Sequence, residues 1–210
     1  MEAPASCFAK LELRLRGSQS GDWEAATRIY HRIKTMLEHL RLLSRYNQWM
    51  NDKIYNTAAQ LPADELARDR GAFFGSLLDT LNHIMVADII WLQRFSEHPA
   101  HHPALDQIRA MPKPQALAQT LLDDFTALIA ERRKLDNTII NWCEQLDASD
   151  LNHKLAYHNM KGETAVKNFG SLMLHFFNHQ THHRGQATTL LSQQGLDVGV
   201  TDLVTLITSE

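Results

Sequence analysis

Residues 175–186 read HFFNHQTHHRGQ. Four histidines, His175, His179, His182 and His183, fall within this stretch of a chain that has 12 in all. Each residue of an α-helix advances by about 100°, so with His179 at zero, Leu172 and Leu190 fall at about 20° and His183 at about 40°. His179 and His183 therefore share a stripe with aliphatic residues of a core-facing helix. His175 and His182 fall at its flank, at about -40° and -60°. Asn178 and Gln180 point sideways from it. Two imidazoles four residues apart on one face can both reach a single metal ion. Buried side by side without partners they would be costly, so something has to satisfy them.

Outward from this stretch, the chain reads as helices punctuated by a few glycines and prolines. A helix is expected from about residue 166 to 194, ended by Gly195. Before it, residues 147–162 are polar and mixed, and the KGE turn at 161–163 suits a join between two short strands. A helix over about 113–146 opens at Lys113-Pro114 and carries Leu117, Leu121, Phe125, Leu128, Leu135, Ile139 and Trp142 at helical spacing. Another is expected over about 74–95, stopping before HPAHHP, and a first one over about 22–61, stopping at Leu61-Pro62. The linker ADELARDRG joins these two, and the tail VTDLVTLIT is expected to pack back as a turn or two. Four helices of this length predict an all-α, four-helix bundle with a short irregular or hairpin insertion before the last long helix. Residues 1–35 do not share the pattern that starts near Met36. The division expected is an N-terminal extension over 1–35 and a metal-binding bundle over 36–210.

Composition bounds the function classes. With 21 Lys plus Arg against 24 Asp plus Glu, the net charge is -3 and no basic block stands out, which argues against nucleic acid as a partner. No apolar run reaches the length of a membrane span, and no secretory signal is seen. Two cysteines, Cys7 and Cys143, form no disulfide framework and no C-x-x-C motif, so a cytoplasmic location is expected, with Cys143 a small buried side chain.

Two histidines are an incomplete grip, because a zinc-like ion takes a third protein ligand and leaves a fourth position for water or substrate. His83 is the one mid-helix histidine away from the cluster, with Ala87 and Ile90 beside it at helical spacing. His98, His101 and His102 sit in a proline-bounded loop, His153 and His158 in the irregular segment, and His31 and His39 on or before the first helix. The assignment is a three-imidazole site of His83, His179 and His183. The competing readings are a hydrogen-bonded core histidine at 83, a chance H-x-x-x-H pair, and a bundle with no metal at all. Gln186, at about -20° on the core stripe, needs a partner and suits a bond to a ligand imidazole. Arg184 suits either a substrate clamp or a pin to a neighbouring helix. Asn82 and Asn178 point away from the site, Asp88 is expected to pair with an arginine, and Trp49 to serve core or interface.

Three motifs in order, LLSRYNQWMN at 42–51, LNHIMVADIIWLQRF at 81–95 and MLHFFNHQTHHRGQ at 173–186, resemble those of the DinB/YfiT-like superfamily of metal-binding four-helix bundles. The resemblance covers about Met36 to Leu206. It implies one divalent ion, zinc or nickel, held by three histidines that fall on His83, His179 and His183, with His182 matching no ligand position. It also implies a homodimer and, for part of the family, a thiol-dependent transferase or isomerase using a low-molecular-weight thiol. It names no catalytic side chain here. The alternative is a non-catalytic, stress-related metal-binding protein or a metal-stabilised dimer.

Overall fold

A computed structural model describes residues 20–209, with side chains from residue 35 onward. Cys7, most of the 1–35 extension and the side chain of His31 lie outside the described residues. Four long helices make the bundle: α1 (Ser20–Ala58), α3 (Leu77–Phe95), α5 (Phe125–Gln145) and α6 (Phe169–Ser192). Two short helices, α2 (Ala63–Ala67) and α4 (Asp106–Ala110), lie in the connections. A two-stranded antiparallel hairpin precedes α6, with β1 (Lys154–His158) paired to β2 (Thr164–Asn168) across the expected turn. The tail carries a single 3-10 turn, Leu203–Leu206. No helix among the described residues is long and apolar enough to cross a membrane.

α1 packs on α5 and α6, and α3 packs mainly on α6. The core between them holds Leu40, Ile54, Leu81, Ile84, Leu92, Phe95, Leu128, Ile139, Trp142, Phe169, Phe176 and Leu191. Cys143 is fully buried, as expected, and burial pushes its thiol up to about 12, which removes it as a nucleophile. Trp142 is fully buried too and contributes no outer surface.

The helix ends follow their caps. Ser76 accepts from the Asp79 amide at 3.0 Å and donates to its carboxylate at 2.6 Å, so α3 begins at Leu77 and Phe74 stays outside it. Strand β2 claims residues up to Asn168, whose side chain caps α6 through the Ser171 amide, so that helix starts three residues later than its apolar pattern. Its other end is a Schellman turn. Gly195 sits at φ 75°, its amide donates to Ser192 O, and the Leu196 amide donates back to Leu191 O at 3.1 Å.

The expectation of a helix from Lys113 is corrected. Helix α5 begins only at Phe125, capped by Asp124 through the Ala127 amide at 2.7 Å. The backbone of 117–122 is drawn instead onto α3. Asn82 Oδ1 accepts from the amides of Leu121 and Leu122 at 2.9 and 3.0 Å, and its Nδ2 donates to Leu122 O at 2.9 Å. A backbone bonded to a neighbouring helix is not free to form its own i to i-4 ladder. Asn82 thus points away from the histidines, as its phase requires, and fixes the strap that carries Leu117.

The centre of the bundle is polar. Asp88 accepts from Arg132 Nη1 at 2.6 Å and from Gln180 Nε2 at 2.8 Å. Arg132 Nη2 lies 2.8 Å from Asp136, which accepts from Asn47 and Asn51 at 2.9 Å each. Arg184 donates to the amide oxygen of Asn47. Asp88, Arg132, Asp136, Gln180 and Arg184 are each 3% exposed or less, so two carboxylates and two guanidiniums are buried together. Burial, opposed by Arg132 and Asn51, still pushes the Asp136 carboxyl up to about 6. Arg184, with no carboxylate in contact, is pulled down to about 10 by burial. The reading of Gln180 as pointing sideways is corrected: it is 0% exposed and faces the middle of the bundle.

Candidate metal centre

The network above fixes which way α6 faces. With Gln180 and Arg184 bonded to α3 and α1, the deepest face of α6 runs through Met173, Gln180, Arg184 and Leu191, and the histidine stripe lies at its edge, towards α3. His183 is buried and His179 half-buried on that edge, while His175 and His182 are exposed, as are Asn178 and His39. From α3, the buried His83 meets them.

The three side chains named from the sequence converge. His183 Nε2 lies 3.1 Å from His179 Nε2 and 3.3 Å from His83 Nε2. One donor atom from each lies within 4.8 Å of the others, and among the described residues no fourth His, Cys, Asp or Glu joins the group.

The far side of two rings decides their protonation. His83 Nδ1 lies 2.7 Å from Leu117 O, and His183 Nδ1 lies 2.8 Å from Gln186 Oε1. Both partners are oxygens that can only accept, so each Nδ1 carries the hydrogen and each Nε2 is a bare lone pair. Two bare lone pairs then face each other at 3.3 Å, and a hydrogen on His179 Nε2 can serve only one of them. A cation seated among the three nitrogens would satisfy them all, and three neutral imidazoles suit a divalent transition-metal ion. Burial holds the three rings neutral. It lowers His83 and His183 below the ordinary histidine value, and it takes His179 down to about 3 with help from its two neighbours.

Gln186 makes the bond to a ligand ring that its phase predicts. Arg184 is the pin rather than the clamp: it is 3% exposed and held between Asn47 and Thr181. Two contributors escaped the sequence reading. Leu117 acts through its carbonyl, to which side-chain identity gives no clue. Phe74, just before the Ser76 cap, stacks on His83 at 3.9 Å between ring centroids and meets His183 edge-on at 5.5 Å, forming an apolar wall of the centre. Cavities also lie outside the triad. One of about 550 Å³ borders Arg94 and Tyr157, and one of about 460 Å³ borders Met85 and Ile89; none of the three histidines lines either, and both are walled by Lys113 and Pro114.

Comparison with known proteins places the chain in a family. The chain is 27% identical over 165 residues to Protein DinB of Bacillus subtilis (strain 168), an alignment that covers 76% of this chain and 88% of that protein. No solved structure matches it. The DinB family matches residues 36–210, a span that contains all three motifs, the three histidines and the whole buried network, and the chain belongs to that family.

Proposed function

We propose that His83, His179 and His183 hold one divalent ion, zinc or nickel, and that the protein uses it as a thiol-dependent transferase or isomerase. The observation that carries the metal is the pair of bare Nε2 lone pairs at 3.3 Å, each fixed by an oxygen acceptor behind it. The catalytic half of the reading rests on the ligand count: three imidazoles leave a position open, which is characteristic of catalytic rather than structural zinc. When bound, such an ion supplies the positive charge that lowers the pKa of a thiol or water placed beside it.

The chain's own residues orient and shield. Leu117 O and Gln186 Oε1 hold two rings by their Nδ1 hydrogens, so both Nε2 atoms stay aimed at one point. Phe74 covers His83 and excludes water from that side. The hydrogen bond to Gln186 also raises the basicity of His183. Gln186→Ala is expected to weaken metal binding by about 10- to 100-fold, measured by chelator competition. Unchanged affinity would show that His183 needs no such support.

The reaction is tested with glutathione, bacillithiol, mycothiol and cysteine, each against a haloarene, an epoxide and a maleyl-type isomerisation substrate. Turnover with one thiol, lost on chelation and in His83→Ala and restored by added metal, is the expected result. A fully loaded protein with no turnover on any pair would move the assignment to the second reading, an ion that only ties α3 to α6.

A homodimer is part of the same proposal. Phe73 is 84% exposed beside Phe74, and Val204 and Ile207 are 68% and 54% exposed on the tail, apolar surface that a partner subunit would cover. Light scattering at micromolar concentration should return twice the 24.0 kDa mass of the chain. A monomer at that concentration would remove the dimer from the proposal.

A further inference from the structure

We propose that His98, His102 and Asp150 form a second divalent-cation site, separate from the three-histidine centre and serving to clasp the other end of the bundle. About 18 Å of α3 lies between His83 and Phe95, where the turn to His98 begins. The two sites therefore share no side chain. The inference stands whether or not the three-histidine centre is catalytic.

The loop histidines of HPAHHP are not surface groups. His98, His102 and Asp150 are 4%, 5% and 5% exposed. One donor atom from each lies within 4.8 Å of the other two. His102 Nε2 is 3.5 Å from Asp150 Oδ2, and the two imidazoles stack with ring centroids 5.6 Å apart. The turn that brings them together passes through His101 at φ 51°, the one non-glycine residue with positive φ among the described residues. His153, half-buried, sets its ring 4.6 Å from that of His98 at the rim.

What these groups lack is partners. The Nε2 atoms of both His98 and His102 are buried without a hydrogen bond. The Ala100 amide donates to His98 Nδ1 at 3.1 Å, so the neutral ring carries its hydrogen on Nε2, which makes no hydrogen bond of good geometry even with the Asp150 backbone nearby. Asp150 accepts from the Asp147 amide at 2.8 Å, and among the described residues no lysine or arginine pairs with it. Burial keeps both rings below the ordinary histidine value, against the pull of Asp150, and so favours their uncharged form. A buried carboxylate beside two neutral imidazoles is a site short of positive charge, which one divalent cation would supply. Two nitrogens and one oxygen select a zinc-like ion over magnesium or calcium, which prefer all-oxygen shells.

The ion would join segments far apart in sequence. His98 follows α3, His102 precedes the 3-10 turn Pro103–Leu105, and Asp150 opens the 3-10 turn Asp150–Asn152 that leads into β1. His98 also packs on Phe169, the first residue of α6. Binding through His98 Nε2 moves its ring hydrogen to Nδ1, facing the Ala100 amide. Loading therefore breaks that hydrogen bond, and the amide becomes a reporter of the site.

The test uses the full chain with His179→Ala and His183→Ala, which empties the first centre. Titrated with Zn²⁺ and with Co²⁺, this variant is expected to bind one ion per chain, to gain thermal stability from it, and to shift the Ala100 amide resonance. Adding His102→Ala or Asp150→Asn should abolish all three effects. Should the starting variant not fold, the ion count of the unaltered chain against Asp150→Asn decides: two against one supports the site, and equal counts overturn it. No uptake by the folded variant, or uptake unchanged by both added substitutions, also overturns it.

Discussion

Protein carrying His183→Ala is expected to bind one divalent ion fewer per chain than the unaltered protein, and His179→Ala to do the same. His183 is the middle donor of the three, 3.1 Å from His179 and 3.3 Å from His83. Its loss leaves two imidazoles on different helices, an incomplete grip on an ion. The fall in affinity should exceed the roughly 10- to 100-fold expected from losing a partner behind a ligand, because a coordinating atom is gone. His182→Ala is the internal control. Its ring lies only 4.8 Å from that of His183, yet it is exposed and outside the converging group. Metal analysis of the three purified variants is sufficient. Equal loss with His182→Ala, or full retention with His183→Ala, would refute the ligand set.

The second large effect lies in the bundle centre. Arg132→Met should destabilise the fold by about 3–5 kcal/mol, the range for removing one member of a buried ion pair. Arg132 contacts both Asp88 and Asp136, and each carboxylate is 1% exposed. Without the guanidinium, two carboxylates remain in the core with only amide donors. A domain of ordinary stability has about 5–15 kcal/mol in hand, so this substitution takes a large share of it. The damage should reach the metal centre, since Asp88 holds Gln180, the neighbour of His179. Neutralising the carboxylates as well, with Asp88→Asn and Asp136→Asn added to Arg132→Met, should recover part of the stability, because the penalty comes from unpaired charge. Urea unfolding monitored by circular dichroism reads both. A single variant within 1 kcal/mol of the unaltered protein would mean that these carboxylates take up protons and need no partner.

The apolar spacing of four segments, the caps and breaks between them and the i, i+4 phase of His179 and His183 were sufficient to place an all-α bundle and its histidine pair. His83 was legible as the one histidine in the middle of another helix, and Gln186 as a polar side chain on a core stripe. These are local signals, because helix geometry fixes which residues share a face. The segment before Phe125 read as helix because its leucines fit the period. Only the assembled fold shows its backbone bonded to Asn82 and His83 instead. Gln180 read as pointing sideways from its helical phase, and Arg184 as either a clamp or a pin, because the local sequence does not show their partners. They are buried because their partners, Asp88 and Asn47, lie 92 and 137 residues away. His98 and His102 read as loop residues from the prolines that bound them, and the fold buries them against Asp150. Periodicity reports where apolar surface must go. Which polar groups follow it inside depends on whether distant donors and acceptors meet there, and that is decided only when the helices pack.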